Sequence, residues 1–163
     1  IEYLAGNGAG SGSVMEGPNA WHHLIDSGTI DDTLTINAGG LAPADLAADV
    51  SHDVATHMPD SKLDGVGFMF TNSTAGNVIV ATGDIATVVV EDSTAETNFI
   101  ATGVMTPVDS LSIDAKLDDG VANSGDVQGS ALLGTPGNCF STTAYVTTTS
   151  TNVCAIEIKV DLS

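Results

Sequence analysis

At 163 residues, with a formal charge of −18, the chain reads as one domain over 1–163, long enough to bury a core of its own. Apolar residues make up 42% of it, which excludes compositional disorder despite the acidity. Its only cations besides histidine are Lys62, Lys116 and Lys159, which excludes a nucleic-acid binder and argues against anionic lipid surfaces, since both need basic side chains to replace counterions.

Residues 6–13 alternate Gly with Asn, Ala and Ser and read as a flexible connector; no Gly-Lys-Ser/Thr follows, so it is not a phosphate loop. A short helix is expected from about Pro18 and Asn19, with Trp21, Leu24 and Ile25 on its inner face and Gly28 as its C-cap. His22 and His23 on it point about 100° apart, which suits one packed and one solvated histidine better than a shared metal. Residues 41–57 suggest a second helix opened by Pro43, with Leu46, Ala47, Val50 and Val54 along one side. There His52, His57, Asp49 and Asp53 offer metal-ligating types, though a solvated acidic face explains them more simply.

Val66–Phe70 and Val78–Ala81 read as strands around a 72–77 turn, and the run from Ile85 to Val90 is expected to continue the sheet. Thr106 as N-cap, Pro107 at the first position and Asp109 in the first turn predict a helix ending at Gly120, with Val108, Leu111 and Ala115 on its packed face. A turn at 123–126 leads to a strand from Val127. The closing run, 154–160, alternates apolar and polar residues as a half-buried strand does. No stretch approaches the ~20 apolar residues that cross a bilayer. No signal peptide opens the chain, and Ile1-Glu2-Tyr3-Leu4 reads as the stub of an upstream segment, so a mature or truncated form is expected.

Catalytic signals are weak. No serine sits in a Gly-x-Ser-x-Gly setting, and the paired carboxylates Asp31-Asp32 and Asp118-Asp119 lack the aromatic surroundings of a sugar cleft. The expectation is therefore no enzyme; a hydrolase would require a pocket in which histidine and carboxylate converge. Cys139 and Cys154 would pair in an exported protein, closing a polar, Thr-rich loop worth roughly 3 kcal/mol, the alternative being two buried thiols of a cytosolic chain. Asp114, Asp118, Asp119, Ser124 and Asp126 gather hard oxygen ligands around Gly120 and Gly125, a pattern that calcium could use although no EF-hand glutamate closes it. The plainer reading is an acidic helix end and turn, partly balanced by Lys116.

The stretch from Met105 to Gly120, Met-Thr-Pro-Val-Asp-Ser-Leu-Ser-Ile-Asp-Ala-Lys-Leu-Asp-Asp-Gly, followed by Ser124-Gly125-Asp126-Val127, resembles bacterial type IV pilins and type II secretion pseudopilins. Trp21-His22-His23-Leu24 with Ser27-Gly28-Thr29-Ile30 resembles their Trp-x-His-Leu segment. Pro59-Asp60-Ser61-Lys62 and the Cys139…Tyr145…Cys154 loop follow in the same order. The resemblance spans most of residues 6–160, but it lacks the hydrophobic N-terminal anchor helix, and the usual acidic Gly-Asp-Gly-Asn-Gly loop is here Gly-Asn-Gly-Ala-Gly-Ser-Gly. It implies an α+β domain, an antiparallel β-sheet packed on a helix, with short extra helices and a C-terminal disulfide loop. It further implies a structural subunit packing against other pilin subunits in a cell-surface or periplasmic filament, touching membrane only through the missing helix and monomeric when isolated. Some relatives bind calcium in the C-terminal loop, and Asp114, Asp118, Asp119 and Asp126 match in kind. A free-standing, calcium-stabilised module such as a carbohydrate-binding β-domain is the alternative.

Overall fold

Two runs of branched and aromatic side chains flank a Gly- and Asn-containing stretch, and they pair as an antiparallel hairpin. In the computed structural model, which describes residues 16–31, 34, 53–73, 76–85, 101–133 and 135–160, these are β1 (Gly67–Ser73) and β2 (Gly76–Thr82). Their register runs from Gly67↔Thr82 to Ser73↔Gly76, so the strands extend into the residues expected to form the turn. Gly76 has φ +102°, a conformation open to glycine and costly for other residues.

Strand β6 (Ile156–Lys159) lies along the other side of β2, and β3 (Val127–Gly129) along the far side of β6. The sheet order is β1-β2-β6-β3, antiparallel throughout. The last strand in sequence is thus an interior strand, closing the sheet between segments distant in the chain. Its alternation does not mean what it suggests in sequence: Ile156 and Glu157 are both buried, so neither face is bathed in water at that point. Of the Ile85–Val90 run, Ile85 is buried in the core; residues 86–90 lie outside the described residues, as do 6–13, 35–52 and the tip 74–75.

The first helix, α1, spans Glu16–Asp26, with Pro18 in its first turn. Trp21 is buried and its ring meets Phe70 of β1 at a centroid distance of 4.3 Å, tilted by 34°. Gly28 at φ +69° ends the helix, its N–H donating to the Ile25 carbonyl and that of Thr29 to Leu24. The expected helix over 41–57 does not reach its proposed end. Residues 53–58 form a turn with a Val54↔Met58 bridge and Ala55 at φ +62°. The Asp84 carboxylate takes the Val54 N–H at 2.8 Å, and the His57 imidazole takes that of Asp53 at 3.0 Å, so these amides serve side chains and not a helical ladder.

Thr106 caps the second helix, α2 (Pro107–Leu117), as expected. The packed face differs. Pro107, Ser110 and Asp114 are buried, Leu111 is half-buried, and Val108 and Ala115 face solvent. The helix therefore turns a hydroxyl and a carboxylate inward, which requires partners from elsewhere in the chain.

Asp114 finds its partner in Tyr145 of the C-terminal loop, whereas the Ser110 hydroxyl, covered by the same region, has no hydrogen-bond partner among the described residues. Cys139 and Cys154 form a disulfide with Cα atoms 4.9 Å apart, both cysteines fully buried. A 3₁₀ turn at Pro136–Asn138 leads into Cys139, and the loop that the two cysteines close holds a small hairpin, β4 (Phe140–Ser141) with β5 (Ala144–Tyr145). Segment 101–105 links loop to sheet. Thr102 exchanges hydrogen bonds with the buried Thr82 hydroxyl, and Met105 pairs with Cys154. One continuous core results, holding Met69, Val80 and Ile156 from the sheet together with Met105, Tyr145 and the disulfide. The fold is mixed α+β: an antiparallel sheet, two helices and a disulfide loop.

Candidate metal centre

The end of α2 brings three carboxylates together. Asp114 is fully buried and Asp118 and Asp119 are exposed, and one oxygen from each lies within 4.8 Å of the others. Asp114 reaches inward because α2 presents it to Tyr145, whose hydroxyl donates to Asp114 Oδ2 at 2.9 Å. The other oxygen of Asp114 accepts the Gly120 N–H at 2.9 Å. Burial, then the hydrogen bond and negative charge of Asp114, push the Tyr145 hydroxyl far above its ordinary value, so it stays a donor at any physiological pH.

Asp118 stands at the C-cap of α2, its own N–H returning to the Asp114 carbonyl at 2.6 Å. Its Oδ2 accepts the N–H groups of Asp126 and Val127, the first residue of β3. Gly125, at φ +81°, lets the chain pass directly over this carboxylate; a Cβ there would run into Asp118. Asp119 closes the turn, with Oδ1 taking the Val121 N–H and Oδ2 the Ser124 hydroxyl, each at 2.8 Å. The Ser124 bond first, and then the Val121 N–H, hold the Asp119 carboxyl below its usual value, so the side chain is anionic at neutral pH.

Of the residues expected to bind calcium, Asp114, Asp118 and Asp119 converge, Ser124 joins through Asp119, and Asp126 enters through its backbone N–H, its carboxylate lying outside the triad. Tyr145 is the residue that sequence reasoning missed as a partner of this group. It appears in the sequence only as a member of the disulfide loop, with no local signal linking it to Asp114.

The triad could bind a metal ion. A hydrogen-bonded carboxylate oxygen keeps a further lone pair, and among the described residues Asp118 Oδ1 accepts no hydrogen bond. An all-oxygen anionic donor set suits a hard cation over a soft one. Among the described residues, the histidines do not form a comparable set. His57 is occupied by Asp53, His23 is exposed on α1, and His52 lies outside the described residues, as does the side chain of His22. No helix among the described residues is long and apolar enough to cross a membrane. Comparison with protein-family models, curated proteins and solved structures finds no match to this chain.

Proposed function

We propose that this chain is the globular domain of a pilin or pseudopilin, a non-enzymatic structural subunit of a bacterial type IV pilus-like or type II secretion filament. The observation that carries the reading is the unit formed by α2, its Leu-Asp-Asp-Gly exit, β3 and the disulfide loop. The residues that resemble the family in sequence are those that bond to one another here: Thr106 to Asp109, Asp118 to the start of β3, and Tyr145 of the loop to Asp114. The disulfide fits an oxidising compartment outside the cytoplasm, and an outward acidic surface would keep subunits soluble until they assemble. The triad is read as a calcium site in which Asp118 and Asp119 ligate the ion and water or carbonyl oxygens complete the about six to eight ligands that calcium takes.

Immunogold labelling of the source cells with antibodies to the domain should decorate surface or periplasmic filaments. A label spread evenly through medium or cytoplasm would overturn the filament reading. Calcium is tested separately. The melting midpoint should rise with calcium and fall back with excess EDTA, by about 2.7 kcal/mol of stability at a hundredfold excess over Kd, and Asp118→Ala should abolish the shift. An unchanged midpoint reduces the triad to a set of turn staples.

A further inference from the structure

We propose that Glu157 is a protonation-operated latch that ties the turn after β3, and the 101–105 segment bonded to that turn, to the centre of the sheet. Glu157 sits on interior strand β6 and is 1% exposed. Its two carboxyl oxygens reach to opposite sides. Oε1 accepts from the Ser73 hydroxyl at the end of β1 at 2.9 Å, and Oε2 from the buried Ser130 hydroxyl at 3.1 Å. The backbone N–H of Ala131 also favours its ionised form. Ser130 in turn takes the Leu132 N–H on its hydroxyl, and its own N–H donates to Ala155 on the strand side. The turn at 130–133 is therefore held by a group of bonds that converge on one carboxyl. The Leu132 carbonyl then receives the Ala101 N–H, and Leu133 bridges to Ala101, so the turn anchors the segment that reaches the disulfide.

Among the described residues, no cation neutralises this carboxyl by contact. Lys159, two residues along β6, is the nearby positive charge that favours its ionised form. The neighbours that the register places beside Glu157 are Val80 of β2 and Gln128 of β3, both uncharged, and Asp126 precedes β3 opposite Lys159. Burial outweighs the two hydroxyls, the Ala131 N–H and the lysine and raises the carboxyl above its ordinary value. Folding then favours the neutral acid. The stability contributed by this preference is fully present below the ordinary glutamate value and is lost as pH rises through the raised one. Once ionised, the group gains by reaching water, and the bonds it must release to do so are those of the 130–133 turn.

Hydrogen exchange tests this on the intact chain. After division by intrinsic rates, the opening constants of the Ala131 and Leu132 amides should rise by up to about tenfold per pH unit from near pH 4.5 to the midpoint of Glu157. The Val80 amide should show no such slope, and Glu157→Gln should flatten the slope at 131 and 132. Equal slopes in wild type and Glu157→Gln, or pH-independent opening in wild type, would overturn the latch. Carbon-13 titration of the wild-type Glu157 carboxyl needs no variant. A midpoint at or below the ordinary glutamate range would also overturn it.

Discussion

The sheet and the α2–disulfide region share one core, yet they are held by different means. The sheet is closed by apolar burial: Val78, Val80 and Met69 on adjacent strands are all but inaccessible to water, and Met58 lies against Gly67 at its edge. The other half adds Met105, Leu133 and Tyr145 to the same core but relies more on polar bonds. Its inner helix face is a proline, a serine and an aspartate, and its strands β4 and β5 have two residues each. Order there comes from a covalent bond, a capped helix and carboxylates that take backbone N–H groups. The difference teaches that a loop too polar to collapse by itself can be fixed by side chains that substitute for a missing backbone ladder. The two halves should consequently fail differently when single groups are removed.

The largest expected effect is at the disulfide. Cys139→Ser, or reduction of the native protein, should cost about 3 kcal/mol on the loop-entropy model, read from urea unfolding. It should also expose the Val146 amide, which is bonded to the Cys139 carbonyl, to exchange well before the Val80 amide of β2. Equal loosening of both amides would remove the distinction between the halves and make the domain a single cooperative unit.

Tyr145→Phe probes the same half without touching covalent structure. It removes the hydroxyl from Asp114 Oδ2 in a position closed to water, leaving a buried carboxylate oxygen without its donor. A loss of about 2 kcal/mol is expected, the usual order for orphaning a buried polar partner. A loss below about 0.5 kcal/mol would mean that Asp114 finds water or another donor, and that the polar staple is not what holds the loop on α2.

Where a local rule decides the outcome, the sequence is readable. Thr106-Pro107 with Asp109 marks the start of α2, Gly28 marks the end of α1, and the two β-branched runs around residue 75 pair as the hairpin they suggest. The two cysteines also bond as expected. What escapes is set by partners far along the chain. Asp114 and Ser110 look like the wet side of a helix until Tyr145, 31 residues later, and the C-terminal loop cover them. Glu157 alternates with isoleucines as an outward residue would, and only its placement between β2 and β3 buries it. The acidic triad was legible as a composition, because its members lie within one turn and its exit. The hydrogen bonds that fix Asp118 on β3 were not, since they depend on Gly125 bringing the strand back over the helix end.

The smallest effect is expected at the start of α2. Thr106 Oγ1 accepts the Asp109 N–H at 3.2 Å and donates to Asp109 Oδ2 at 2.7 Å, so one hydroxyl both caps the helix and orients the acid that faces its positive end. Thr106→Ala removes both and should cost about 1 kcal/mol, whereas Thr106→Ser keeps the hydroxyl and should cost far less. The cap lies next to Met105, whose N–H and carbonyl exchange bonds with Cys154. If α2 is fixed mainly by polar staples at both ends, combining Thr106→Ala with Tyr145→Phe should cost less than the sum of the two single losses, because losing either staple already loosens the helix that the other needs. Strict additivity in a double-mutant cycle would instead show that α2 is held along its length, by the half-buried Leu111 and Ile113, and would bring this half of the molecule closer to the sheet in kind.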